Sequence, residues 1–81
     1  MYVYMVECSD GSIYTGIAKD VSKRVLKHNK GQGAKYTKYR LPVTLKWVKL
    51  CENRSTASKL EYKIKKLTRN EKLILINSFK A

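Results

Sequence analysis

The sequence predicts an α+β domain: a small three-stranded antiparallel sheet with flanking helices, in the order β-β-α-β-α-α. Three observations predict it. Two β-branched and aromatic runs are separated only by Ser-Asp-Gly, and a third such run stands alone near the middle. The remaining intervals place capping residues ahead of stripes of apolar side chains at helical spacing. With 81 residues, the chain can bury one modest core, so residues 1–81 are expected to form one domain.

Residues 2–8, "YVYMVEC", and 12–17, "SIYTGI", read as a hairpin. A two-residue turn at Asp10-Gly11 would send Tyr4 and Tyr14 to opposite faces of the sheet. A three-residue loop, Ser9-Asp10-Gly11, with Gly11 left-handed in a bulge puts both on one face, and the residue order suits this arrangement. Asp20 is the expected N-cap of a helix over about residues 21–30, which Gly31 ends. In that helix His28 continues the Val21–Val25 stripe, and Arg24 and His28, four apart, project to one side. "GQGAKYTKYRLP", residues 31–42, reads as a glycine-rich, basic-aromatic loop ended by Pro42, and residues 43–51 as the third strand. A helix opening near Ser55 carries Leu60, Ile64 and Leu67, and a last helix opens with the capping box Thr68–Glu71 and carries Leu73 and Ile76.

Charge narrows the function classes. Eighteen Lys and Arg stand against six Asp and Glu, a formal net charge of +12. So much like charge repels itself in a compact chain, which points to a polyanionic partner: DNA, RNA or a ribosome. A membrane is not the expected partner, since no apolar run of spanning length and no long basic amphipathic helix is visible. The N-terminal "MYVYMVECSDG" has no signal-peptide pattern, so a cytoplasmic location is expected. Cys8 and Cys51 then read as reduced, buried thiols, with no C-x2-C pair for zinc.

Few residues can carry chemistry. Six scattered acids do not form the carboxylate cluster of a two-metal nuclease. Glu61, alone among lysines in "SKLEYKIKKL", is either half of a surface pair with Lys65 or a single hard ligand for Mg²⁺, which often takes only one or two carboxylates. His28 on an apolar stripe is either a hydrogen-bonded core residue or a site residue, and Tyr4 and Tyr14 admit the same two readings. No Ser-His-Asp set, phosphate-binding glycine loop or nucleophilic cysteine can be assembled.

Taken in order, "YVY" at 2–4, "YTG" at 14–16, Arg24, His28 and a helical Glu61 resemble the GIY-YIG nuclease family. The stretch "DGSIYTGIAKDVSKRVLKHNKGQGAKYTKYRLP" resembles its short single-domain bacterial members most closely, and the likeness covers nearly the whole chain. The resemblance implies a domain that cuts phosphodiester bonds in DNA with one divalent cation, Mg²⁺ or Mn²⁺, in a structure-specific, repair-related role. It implies that Tyr14 activates or positions the attacking water and that Tyr4 shapes the same site. It further implies that Arg24 stabilises charge on the phosphate, that His28 assists proton handling, and that Glu61 holds the metal. Gly16 matches the glycine that lets the backbone pass close beneath the site. A tyrosine acts as a base only with cationic help, which Arg24 and a metal supply.

The chain departs from the family pattern in three places. Only the tyrosine of the first triplet is kept, Thr15 fills the second, and Ile17 stands where some relatives carry lysine. Relatives often add a separate DNA-binding module. Here affinity is expected from Lys35, Tyr36, Lys38, Tyr39 and Arg40, with tyrosines stacking on unpaired bases and cations meeting phosphates, the equal alternative being a packed tyrosine between solvated lysines. The expected protein is a monomer, with specificity supplied by a protein partner if at all. RNA stays open as a target, as does a nucleic-acid-binding module that cuts slowly or not at all.

Overall fold

A computed structural model describes residues 1–80. Strands β1 (Tyr2–Glu7), β2 (Ile13–Ala18) and β3 (Thr44–Leu50) form one antiparallel sheet in the order β2-β1-β3. The hairpin closes through three residues: Cys8 N donates to Ser12 O at 2.8 Å, Gly11 N donates to Cys8 O at 3.0 Å, and Gly11 takes φ +83°. The left-handed Gly11 is what sets the register, pairing Tyr4 with Gly16 and Val6 with Tyr14. Tyr4 and Tyr14 therefore share a face.

β1 is central, and Val3 to Val6 are all fully buried, so this strand has no solvent side and its sequence is apolar at successive positions. Alternation splits its side chains between two cores. Val3 and Met5 pack with Trp47, Ala57, Ile64 and Ile76, beneath helices α3 (Arg54–Lys65) and α4 (Arg69–Lys80). Tyr4 and Val6 pack on the other face with Cys8 and Val43, and helix α1 (Val21–Asn29) adds Val21 and Val25. The sheet is thus a middle layer between α1 and the α3/α4 pair. Cys8 and Cys51 are free, buried thiols, one in each core.

The helix ends follow local chemistry. The Asp20 carboxylate accepts from Lys23 N, and α1 closes with Gly31 N on His28 O and Gln32 N on Lys27 O, Gly31 taking φ +75°. Thr68 and Glu71 bond reciprocally at 3.0 and 3.2 Å as a capping box. α3 opens at Arg54, near the expected Ser55, and the Asn53 side chain caps it by accepting from Thr56 N at 2.9 Å. One element differs from the sequence reading: the loop of residues 31–42 contains one helical turn, α2 (Lys35–Lys38), closed by Thr37 N on Ala34 O and Arg40 N on Thr37 O. No helix among the described residues is long and apolar enough to cross a membrane.

Candidate active site

The hairpin and α1 bring two tyrosines, an arginine and a histidine together. The rings of Tyr4 and Tyr14 lie 6.4 Å apart between centroids, tilted by 50°. A Cβ at Gly16 would sit 2.6 Å from the Tyr4 hydroxyl, so the phenol lies across bare backbone and the site requires a glycine there. From α1, His28 reaches in with no exposed surface, its Nε2 2.8 Å from the Tyr4 hydroxyl and its ring edge-on to Tyr14 at 5.3 Å. Tyr4 is likewise fully buried, whereas Tyr14 and Arg24 are half-buried and reach the surface.

Behind His28 lies a support that the sequence reading missed. Nδ1 is 2.8 Å from Thr37 Oγ1, and that hydroxyl donates to Ala34 O at 2.9 Å. Thr37 is fully buried, and a Cβ at Gly33 would collide with the imidazole. The only sequence signal was a threonine on the lysine- and tyrosine-rich turn after a Gly-x-Gly, which reads equally well as loop composition.

Electrostatics separate the roles. Burial pushes the Tyr4 phenol above its ordinary value; the Arg24 guanidinium opposes this, and the charges of Tyr14 and Glu61 add to it. Arg24 faces both phenols and is held even more firmly as a cation, first by Tyr4. Its Nε is buried and finds no hydrogen-bond partner among the described residues. Burial, then the charge of Arg24, holds the His28 pKa below 6.5, so the imidazole is neutral at neutral pH.

Glu61 on α3 stands near enough for its charge to bear on Tyr4. Its side chain is 24% exposed and pairs with Lys65 at 3.4 Å. No group of three His, Cys, Asp or Glu side chains that could enclose a metal occurs among the described residues. One partly exposed carboxylate suits an ion that keeps most of its waters, as Mg²⁺ does, and does not suit a protein-enclosed ion.

The residues expected to grip nucleic acid divide into two groups. Lys35, Lys38 and Tyr39 project from α2 and its C-terminal end, Tyr39 being 81% exposed. Tyr36 instead stacks on Tyr14 at 6.0 Å and 26°. Arg40 is engaged within the protein. Its guanidinium carbon lies 4.2 Å over the Tyr36 ring, its Nε donates to Asp10 at 3.1 Å, and Nη1 donates to Tyr36 O at 2.6 Å. These contacts tie α2 to the hairpin. Two lysine-lined grooves flank the site, one with Lys19, Lys23 and Lys27 beside Arg24, the other with Lys65 and Lys72 beside Tyr14 and Tyr36.

Comparison with known proteins finds relatives over most of the chain. Residues 1–74 match the family described as the GIY-YIG catalytic domain. A UPF0213 protein of Staphylococcus aureus is 61% identical over 75 residues, covering 93% of this chain and 92% of that one. Its counterpart in Staphylococcus saprophyticus is 55% identical over 76 residues, covering 94% and 93%. Among solved structures, the solution NMR structure of a UPF0213 protein from Bacillus halodurans matches with TM-score 0.60 and 43% identity, over 94% of this chain and 81% of that one. A protein from E. faecalis, also solved by solution NMR, matches with TM-score 0.65 and 41% identity over 98% and 84%.

Proposed function

The chain belongs to the GIY-YIG family, and from that membership we propose that it is an endonuclease hydrolysing phosphodiester bonds in DNA with one divalent cation. The observation that carries this reading is that the rings of Tyr4, Tyr14 and His28 meet at 5.3–6.4 Å, with Arg24 one turn before His28 on α1 and the charge of Glu61 bearing on Tyr4. Tyr14, half-buried at the surface, orients the attacking water and takes up its proton in concert with the surrounding cations. Arg24 meets non-bridging phosphate oxygens with its forked donors, where negative charge builds in the transition state. Tyr4 and His28, having no exposed surface, act by holding Arg24 and Tyr14 in place. Glu61 would hold Mg²⁺ or Mn²⁺ with waters filling the other positions, and the ion when bound supplies Lewis acidity at the phosphate. Lys35, Lys38 and Tyr39 supply part of the grip on the substrate, by charge and by stacking on unpaired bases. We place the protein in the cytoplasm, as a monomer acting on branched or otherwise non-duplex DNA in repair, with a protein partner adding specificity.

A second reading has one observation in its favour. The Glu61 carboxylate is already paired with Lys65, as in a module that binds nucleic acid, DNA or RNA, without cutting it. The test is cleavage of labelled duplex, single-stranded and branched DNA with Mg²⁺, Mn²⁺ or EDTA, beside Glu61→Ala and Tyr14→Phe. Metal-dependent cutting that both substitutions abolish supports the nuclease. Salt-sensitive binding with no cutting, unchanged in either variant, leaves the binding module.

A further inference from the structure

The buried bonds behind the site run in one direction. Ala34 O, 2.9 Å from Thr37 Oγ1, can only accept, and with the hydroxyl's one proton placed there Thr37 accepts from His28, 2.8 Å away. His28 must then carry its proton on Nδ1, leaving Nε2 to accept from the Tyr4 hydroxyl at 2.8 Å. The Tyr4 oxygen then keeps its lone pairs out of that bond and open to the positive charge of Arg24. The far end is compatible with the same order. A guanidinium has donors and no acceptor, so the opposite tautomer would turn the Tyr4 proton toward the cation. One contact points the other way: Ala34 N lies 3.4 Å from Nδ1, too long to compete with the 2.8 Å bond.

Resting on the nuclease reading for its functional part, we propose that Thr37 is a positioning residue: it holds His28 in the Nδ1–H tautomer, fixes the direction of the chain through Tyr4, and so aims Arg24 at the substrate phosphate. Geometry leaves little freedom for anything else. His28, Tyr4 and Thr37 have no exposed surface, and Gly33 presses against the imidazole so that the ring cannot tilt away. α2 presents the Thr37 hydroxyl inward and Lys35 and Lys38 outward.

His28 is the chain's one histidine, which makes the test clean. Nitrogen-15 NMR of the intact protein, well above the ordinary histidine pKa of 6.5, reads the tautomer directly. The expected result is a protonated Nδ1 and a bare Nε2 in the wild type and in Thr37→Ser, which keeps the hydroxyl. Thr37→Val, similar in shape, should shift the proton toward Nε2. With labelled DNA and Mg²⁺, Thr37→Val should lose about tenfold or more in kcat at unchanged KM, in line with residues that orient a functional side chain from behind, and Thr37→Ser should restore it. A wild type protonated on Nε2, or a Thr37→Val that changes tautomer and keeps its kcat, overturns the proposal. If Thr37→Val fails to fold, the wild-type spectrum and Thr37→Ser still decide the direction of the chain. A wild type with the expected tautomer that never cuts DNA overturns the nuclease reading and Thr37's part in cleavage, while the hydrogen-bond direction stands.

Discussion

Gly16→Ala separates this structure from generic expectation. Gly16 does not have a positive φ, and at such a position replacing glycine with alanine stabilises a protein by about 0.4–1 kcal/mol through the unfolded chain. Here the added methyl would stand 2.6 Å from the Tyr4 hydroxyl, 2.7 Å from Cζ and 3.0 Å from Cε1. The ring is fully buried and cannot swing into solvent. Forcing it aside is overpacking, which costs about 1–3 kcal/mol. Displacement also weakens the Tyr4–His28 bond, a net loss of about 1 kcal/mol. The balance is a destabilisation of about 2 kcal/mol, which lowers the melting temperature of a domain this size by roughly 8–16 °C. Thermal unfolding followed by circular dichroism measures it. A Gly16→Ala protein that melts at or above the wild-type temperature would refute the claim that Tyr4 lies against bare backbone.

Other perturbations give distinct signatures. Because the folded His28 pKa lies below 6.5, the unfolded chain binds the proton first; stability is full above 6.5 and falls as pH drops through that value toward the folded pKa. Urea titrations across pH should show this step, and His28→Phe should erase it. A lower step should remain, because hydrogen bonds from Ser12 and Thr68 hold Asp10 and Glu71 below their ordinary 3.8 and 4.5. Tyr39→Ala should weaken binding of single-stranded DNA by about 1–3 kcal/mol with melting unchanged. Arg40→Ala should lower the melting temperature slightly by removing its part-exposed pair with Asp10, and should lower the salt dependence of DNA binding if Arg40 also meets phosphate. Fluorescence titration and melting curves on both variants check the pair.

What the sequence revealed and what it hid follow from the range of the interactions involved. The three-residue hairpin was legible because Ser9-Asp10-Gly11 carries its own turn chemistry, and it fixed the shared face of Tyr4 and Tyr14. Asp20, Gly31 and the Thr68–Glu71 box were legible for the same reason: each bonds within a few residues of itself. α2 was not, since a single turn has little propensity of its own and is held by Thr37 against His28, nine residues away, and by Arg40 on Asp10, thirty away. Arg40 looked like one more cation in a basic loop, and only folding brings a carboxylate beneath it. Glu61 was singled out as the lone acid of its helix, but its position near Tyr4 depends on how α3 packs on the sheet, which no local pattern encodes.

The measurement that tests the account most directly is single-turnover cleavage of labelled DNA in Mg²⁺ by Arg24→Ala beside the wild type. If the guanidinium stabilises transition-state charge on the phosphate, the cleavage rate should fall by about 10²–10³-fold while binding of uncut DNA changes little. An Arg24→Ala protein that cuts at the wild-type rate would contradict the assignment of this site.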